Sequence, residues 1–143
     1  MDVSQIPIIT VSYNSPDLID ILLTSLRPFY ANRVYVIDGS APDIVPEIAA
    51  ITNKFANVDL MPFHYNIHHG PGMAWAIRNL GLTGPALFLD SDVEVLHAGM
   101  LEDLANRLEH HLYGVGWITH PALIGTDSPE NRVPYLSPLC MLC

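Results

Sequence analysis

The feature that most constrains the fold is the alternation of short apolar strand patterns with amphipathic helical patterns along the chain of 143 residues. Apolar and β-branched runs predict strands at residues 6–13, 33–38, 58–64, 85–90 and 113–119. Between these runs, apolar residues recur at helical spacing in segments that begin near residues 15, 43, 71 and 101. Strands that alternate with helices form βαβ units. The pattern therefore predicts an α/β, Rossmann-like fold with a mostly parallel sheet and helices on both faces.

Length and charge limit the classes to which the chain can belong. A length of 143 residues is typical of one domain, so we expect residues 1–143 to form a single domain. Six basic and fifteen acidic residues give a net charge of −9, which argues against binding to nucleic acid or to an anionic membrane. No apolar run is long enough to predict a transmembrane helix, and the N-terminus lacks the pattern of a secretion signal.

The C-terminal part of the sequence is the least regular. Residues 122–143 are interrupted by prolines and predict an irregular tail with a strand from about Tyr135. Cys140 and Cys143 are interpreted as apolar strand residues in a reducing, cytoplasmic compartment, because one such pair does not supply four metal ligands. The stretch 133–143 is apolar and carries no charge. We expect it to be covered by a partner, such as a second copy in a homo-oligomer, or by further chain.

The segment from Leu87 to Asp92 is an apolar run that opens into two carboxylates spaced by one residue. In an extended chain, side chains at i and i+2 point to the same face, so Asp90 and Asp92 are predicted to converge at the mouth of a buried strand. Mg²⁺ and Mn²⁺ prefer oxygen ligands and often link carboxylates to substrate phosphates. The chain has one lysine, Lys54, and few arginines after it, so side chains offer little positive charge to a diphosphate. The segment therefore predicts a metal–diphosphate anchor.

Polar residues also follow the first three predicted strands. The first strand ends at Ser12-Tyr13-Asn14 and the second at Asp38. The third leads into Gly70-Pro71-Gly72 at a helix start, where free backbone N–H groups and the helix dipole favour an anion. His69 adjoins that segment and is a candidate contact for the same ligand. In open α/β sheets ligands bind beyond the carboxyl ends of the strands, so these elements are predicted to form one site.

These residues carry a resemblance to the family 2 glycosyltransferases, which have the GT-A fold. Ser12-Tyr13-Asn14 resembles the family's opening "TYN" segment, and Val36-Ile37-Asp38-Gly39-Ser40 resembles its "VDDGS" turn. Residues 66–70 with 76–81 are similar to its "N-x-G…A-R-N-x-G" segment, and Leu89-Asp90-Ser91-Asp92 is similar to its DXD motif. The four segments follow the order and approximate spacing of the family through most of the chain.

The resemblance implies a GT-A-type domain that binds a nucleotide-diphosphate sugar, most often a UDP-sugar, with Mn²⁺ or Mg²⁺ as cofactor. By this resemblance, Asp92 would bind the metal directly and Asp90 would contact the ribose or the metal. Tyr13 would pack on the uracil ring, Asp38 would accept a hydrogen bond from the uracil N3–H, and Arg78 would lie beside the base. The full set of implied nucleotide-binding residues is Val11, Ser12, Tyr13, Asn14, Asp38, Gly72, Arg78, Asp90 and Ser91.

The same resemblance implies metal-dependent glycosyl transfer, of the hexosyltransferase type, to an acceptor that the sequence does not identify. The family's general base is a carboxylate that lies beyond a strand resembling residues 135–143, and no residue of this chain is an obvious candidate for that role. We therefore expect the donor-binding part of a transferase, whose acceptor half is absent from this sequence. The alternative is a non-catalytic module that binds UDP or a nucleotide sugar.

Overall fold

The computed structural model describes residues 2–109, 112–119 and 135–143. Six strands form one sheet: β1 (Ile8–Ser12), β2 (Val34–Asp38), β3 (Val58–Pro62), β4 (Leu87–Leu89), β5 (Val115–Thr119) and β6 (Tyr135–Leu142). The helices are α1 (Pro16–Leu26), α2 (Val45–Thr52), α3 (His69–Asn79) and α4 (Met100–Arg107). A short 3₁₀ turn at Val3–Gln5 precedes β1.

The strand order in the sheet is β3-β2-β1-β4-β6-β5. Strands β3, β2, β1 and β4 are parallel to one another, whereas β6 is antiparallel to both of its neighbours, β4 and β5. The register pairs Ser12 with Asp38 and Asp38 with Pro62, so β1, β2 and β3 end at the same level. The predicted α/β fold with a mostly parallel sheet is confirmed.

Helices cover both faces of the sheet, as predicted. On one face, apolar residues of α1, α2 and α4, among them Leu22, Ile51 and Leu101, form a core with strand residues such as Ile8 and Leu87. On the other face, α3 packs Ala76 against a second core of Ile9, Ile37, Phe88 and Met141. Because successive strand side chains alternate between the faces, each inner strand contributes to both cores.

Several boundaries differ from the sequence prediction. The third helix begins at His69 and not at Pro71. The fourth ends at Arg107, although the apolar residues at helical spacing continue to Leu112 in the sequence. Pro16 opens α1 as predicted, but the Ser15 side chain makes no capping hydrogen bond. The strand expected from about Tyr135 is present as β6, whereas residues 122–134 of the predicted tail lie outside the described residues.

The segment that carries the two carboxylates is a turn and not an extended strand end. Strand β4 stops at Leu89, and the N–H of Val93 donates to the carbonyl of Asp90 at 3.3 Å. The prediction that the two-residue repeat of a strand brings Asp90 and Asp92 to one face was therefore wrong, because neither residue lies in a strand. Chain reversal at the strand end, and not the two-residue repeat of a strand, sets their relative position.

Part of the apolar C-terminal stretch is covered by the fold itself. Met141 and Leu142 are buried in the two cores, because β6 lies inside the sheet between β4 and β5. Within the described ranges, no helix has the length and the apolar character needed to cross a membrane.

Candidate functional site

A groove lies at the carboxyl ends of β1 and β4, beside the start of α3. It consists of two adjoining cavities of about 190 and 270 Å³, which share Val11, His69 and Ser91. The first is also lined by Ser12, Tyr13, Ser15, Asn66 and His68. The second is also lined by Leu18, Asp90 and Asp92. Together the two cavities fall in the size range of small-molecule sites, about 300–1,000 Å³.

Other cavities lie elsewhere on the described part of the molecule. One, of about 400 Å³, lies at the opposite end of the sheet and includes Arg33, whose guanidinium is paired with Asp59 at 2.6 Å. A second, of about 590 Å³, is lined mainly by apolar residues of α4, of the segment just before it, and of β5 and β6. A third, of about 300 Å³, lies between α1 and Glu94. None of these cavities brings two carboxylates together at the carboxyl ends of β1 and β4, so the groove is the stronger candidate for chemistry.

Asp38 joins the end of β1 to the turn after β2. Its side chain is 0% exposed, and its Oδ1 accepts hydrogen bonds from the hydroxyl of Ser12 at 2.7 Å and from that of Ser40 at 2.6 Å. Its Oδ2 is enclosed and has no hydrogen-bond partner among the described residues. In this conformation no ligand can reach the carboxylate, so its predicted contact with uracil stays a prediction. The role visible here is to hold Ser12 and Ser40.

Asn14 continues this network to the rim of the groove. Its N–H donates to the Ser40 hydroxyl at 2.8 Å, and its side-chain oxygen accepts from the N–H of Ala41 at 2.9 Å. These bonds hold Asn14 in a left-handed conformation with φ of 49°, which asparagine tolerates better than most residues. Tyr13 therefore sits between two anchored residues, with its side chain 51% exposed at the groove.

The start of α3 approaches β1 and the turn after β2 closely, and two glycines permit this. A Cβ at Gly72 would lie 2.9 Å from Cγ1 of Val11, and a Cβ at Gly39 would lie 2.8 Å from the backbone nitrogen of Ile67. The N–H of Gly72 already donates to the carbonyl of His68 at 3.0 Å. The predicted contact of Gly72 with a nucleotide stays a prediction, but its visible role is to bring the helix against β1.

The backbone just before α3 is strained. His68 has φ of 61° and ψ of 157°, a region that is used mainly by glycine. The side chain of Asn66 helps to hold it, because its oxygen accepts from the His68 N–H at 2.9 Å. Such strain costs about 1–3 kcal/mol and clusters at functional sites. Here it turns the chain so that His69, the first residue of the helix, lies in the groove.

Asp90 and His69 face each other across the groove. His69 Nε2 lies 3.6 Å from Asp90 Oδ1, beyond hydrogen-bond length, and this nitrogen is enclosed without a hydrogen-bond partner among the described residues. Burial raises the pKa of Asp90 above its ordinary value of 3.8; nearby His69 opposes this shift and Asp92 adds to it. Asp92 itself is exposed, at the open edge of the groove.

These donors fit a divalent ion that is shared with a ligand. In the described part of the chain, no group of three or more His, Cys, Asp or Glu side chains forms a ready-made metal cage. Ions such as Mg²⁺ at phosphates usually take only one or two carboxylates from the protein, with phosphate oxygens and water as the other ligands. Burial, and to a smaller degree the charge of Asp92, raise the pKa of Asp90, and a nearby cation would offset the repulsion between the two carboxylates. Asp90 and Asp92 could supply the one or two carboxylates that such an ion takes from a protein, and the predicted Mn²⁺ or Mg²⁺ stays a prediction.

The structure brings most of the predicted residues together, but not Arg78. Val11, Ser12, Tyr13, Asp90, Ser91 and Asp92 line the groove, and Asn14 adjoins it. Arg78 is exposed in the last turn of α3, nine residues after His69, which is about 13 Å along the helix axis. It does not line either cavity. Its predicted place beside a base finds no support in this geometry.

Sequence reasoning underrated two residues of the site. The sequence makes His69 a candidate contact only through its place beside Gly70-Pro71-Gly72, whereas in the structure its imidazole lines both cavities. Ser40 was treated only as part of a turn motif, although it links Asp38 to Asn14. The usable signal for Ser40 was its place two residues after a buried strand-end aspartate, where a hydroxyl can bond back to the carboxylate.

Comparisons with known proteins give little further information. No protein-family model matches the chain, and no curated protein matches it. Among solved structures, it is similar to one described as the apo structure of the bifunctional glycosyltransferase WbbM, with a TM-score of 0.44 and 18% sequence identity. That match covers 73% of this chain and 21% of the other, so this chain spans about a fifth of its length. A similarity of this size assigns neither a family nor an activity.

Proposed function

We propose that the chain is a nucleotide-sugar-binding domain of the glycosyltransferase type, which holds a nucleoside-diphosphate sugar in the groove at the carboxyl ends of β1 and β4. The observation that carries the proposal is that one groove collects an exposed aromatic ring, two carboxylates and the start of a helix. The motif resemblance of the sequence supports the same assignment, with UDP as the nucleotide. The sugar and the acceptor are not assigned.

Each part of the groove suits one part of such a ligand. Tyr13 offers a half-exposed ring on which a base can stack. The N–H groups of His69 and Gly70, at the first turn of α3, make no hydrogen bond within the described residues and suit phosphate oxygens. Asp90 and Asp92 would hold a divalent ion, which when bound neutralises the diphosphate and makes it a better leaving group.

The positive charge required by a diphosphate has no other evident source in the groove. None of the described lysine and arginine side chains lines either cavity. Lys54 is paired with Asp20, and Arg107 is paired with Asp103 on the surface of α4. An ion at Asp90 and Asp92, together with the dipole of α3, is therefore the cationic element that the proposal requires.

Titration calorimetry tests the proposal directly. We expect UDP to bind in the presence of Mn²⁺ or Mg²⁺ and to bind at least tenfold more weakly in EDTA. Adenosine and guanosine diphosphates should bind more weakly than UDP under the same conditions. Equal binding of all nucleotides, or no binding at all, would contradict the proposal.

Asp92→Ala separates the metal role from folding. Because Asp92 is exposed outside both cores, the variant should unfold at nearly the same urea concentration as the parent but lose metal-assisted UDP affinity. Asp103→Ala is the matched control, since it makes the same change of charge at a surface pair on α4. A variant that binds UDP and Mn²⁺ as tightly as the parent would refute the metal role of Asp92.

A second candidate function is binding of the nucleotide sugar without turnover. The carboxylates that line the groove in the described residues, Asp90 and Asp92, are both assigned to the metal, so neither is left as a general base for an acceptor hydroxyl. Incubation of the chain with a UDP-sugar distinguishes the two functions. Release of UDP that depends on an added acceptor indicates transfer, whereas tight binding with no release indicates a binding module.

A further inference from the structure

The cavity of about 400 Å³ lies at the amino ends of the strands, on the side of the sheet that α3 covers. It is lined by the 3₁₀ turn before β1, by the start of β2 and by the loop that leads from α3 to β4. The groove described above lies at the carboxyl ends of the strands, about 15 Å away along β1. A ligand in this cavity would therefore not overlap with one in the groove.

The lining of this cavity carries hydrogen-bond donors that have no partner. Arg33 is held in place, because its Nε donates to Asp59 at 2.6 Å and its guanidinium carbon lies 5.6 Å from the centroid of the Tyr35 ring. Nη1 and Nη2 of Arg33 and the Tyr35 hydroxyl make no hydrogen bond within the described residues. The backbone N–H groups of residues 81–84 also lack a partner in the part of the chain that the structure describes.

Hydrogen-bond acceptors border the same space. Asp2 Oδ1 accepts from the N–H and the hydroxyl of Ser4 at 3.0 and 2.7 Å, whereas Asp2 Oδ2 accepts no hydrogen bond from the described residues. The α3 helix ends beside the cavity at Leu80, and the last carbonyl groups of a helix have no partner within it. The lining therefore offers both donors and acceptors to a ligand.

The charges around the cavity nearly balance, which limits the class of ligand. The Arg33 guanidinium is paired with Asp59, Asp2 adds a negative charge, and the end of α3 brings the partial negative charge of the helix dipole. These charges disfavour an anion, whereas the guanidinium disfavours a cation. A wholly apolar ligand would leave the donors and acceptors without partners, which costs free energy.

We propose that this cavity binds a neutral saccharide, at a site separate from the groove. Hydroxyl groups both donate and accept hydrogen bonds, so those of a sugar match a lining that carries both kinds of group. Leu82, Pro85 and the accessible part of the Tyr35 ring offer apolar surface to the C–H faces of a sugar ring. The volume falls in the range of small-molecule sites, about 300–1,000 Å³. This inference does not rest on the proposed function, because the two sites share no lining residue.

Nuclear magnetic resonance titration of the ¹⁵N-labelled full chain tests the inference, with maltose, lactose, mannobiose and chitobiose as probes. Because most of these groups are open to water, we expect weak binding: at least one probe should shift the amide signals of residues 81–84 with a Kd of about 1 mM. The amide signals of the groove residues should stay unchanged. Arg33→Gln should raise the Kd about tenfold, because it removes a charged donor. Arg107→Gln is the matched control, since it removes an exposed arginine whose Nε also donates to a carboxylate but which does not line the cavity, and it should leave the Kd unchanged.

Tyr35→Phe gives a second variant, which removes the hydroxyl and keeps the ring in its core, and it should raise the Kd about two- to tenfold. The inference would be overturned if no probe shifted residues 81–84 at about 10 mM, or if both variants left the shifts unchanged. Tighter binding of inorganic phosphate or acetate at these amides would overturn the assignment to a neutral sugar. Titration of the same protein with UDP keeps the two proposals apart. Binding of a disaccharide here without binding of UDP would leave this inference standing and overturn the proposed function, and the reverse result would do the opposite.

Discussion

Ser40→Ala is the change for which the structure gives the most specific expectation about stability. The Ser40 hydroxyl is fully buried, donates to Asp38 Oδ1 at 2.6 Å and accepts from the Asn14 N–H at 2.8 Å. A hydrogen bond to a charged group contributes about 1.5–3 kcal/mol, and a backbone N–H left without a partner costs about 1–3 kcal/mol. Because water can reach the exposed side of Asn14, the cost of leaving its N–H without a protein partner lies in the lower part of its range of about 1–3 kcal/mol. The expected loss in free energy of unfolding is the sum of the two terms, about 2.5–4.5 kcal/mol.

Urea denaturation followed by circular dichroism measures this loss. With a slope of about 2 kcal/mol per molar urea, the midpoint should fall by about 1.3–2.3 M. Ser25→Ala is the matched control, because Ser25 also makes two hydrogen bonds, to the Leu22 carbonyl and from the Val95 N–H, but both partners are neutral. That variant should lose only about 1–2 kcal/mol. A loss for Ser40→Ala no larger than for Ser25→Ala would refute the argument that Asp38 holds this turn through charge-assisted bonds.

A double-mutant cycle identifies the partner responsible. In an Asp38→Asn background the charged acceptor is gone, so Ser40→Ala should then cost at least 1 kcal/mol less than in the parent. Additive effects would show that the Ser40 hydroxyl acts on the Asn14 backbone and not through the carboxylate. The same variants can also be titrated with UDP, which shows whether loss of the Asp38 carboxylate changes ligand affinity in the groove.

Three further predictions follow from the groove. Gly72→Ala should lower thermal stability by about 1–3 kcal/mol, because the new Cβ would meet Val11 at 2.9 Å; Gly70→Ala, where a Cβ meets nothing within 4 Å, should have little effect. Burial raises the pKa of Asp90, so the folded state binds more protons than the unfolded state just above pH 3.8, and stability decreases as pH rises through that window. Asp90→Asn in EDTA should therefore flatten the pH dependence of unfolding and stabilise the fold at pH 7; an unchanged slope would contradict this. Tyr13→Ala should weaken UDP binding at least tenfold with little change in stability, since the ring is half exposed.

The fold was predictable because its signals are local. The apolar runs that became β1, β2, β3 and β4 are continuous, and the amphipathic stripe of α1 places Ile19, Leu22, Leu23 and Leu26 on one buried face. The location of the polar strand ends was also predictable, because parallel strands all have their carboxyl ends at the same edge of the sheet. The boundaries at Leu89 and His69 were not predictable, because each depends on hydrogen bonds and strain that a periodic pattern does not encode.

The sequence by itself determined the order of strands and helices, and with it the edge of the sheet where polar residues would gather, because hydrophobic periodicity and parallel topology require no knowledge of side-chain contacts. Only the tertiary structure decided what these residues do at that edge. It enclosed Asp38 between two serine hydroxyls, left Arg78 at the far end of α3, and placed His69 opposite Asp90. The physical reason is that these outcomes depend on the close approach of segments distant in the chain, which Gly39 and Gly72 permit and which burial then fixes.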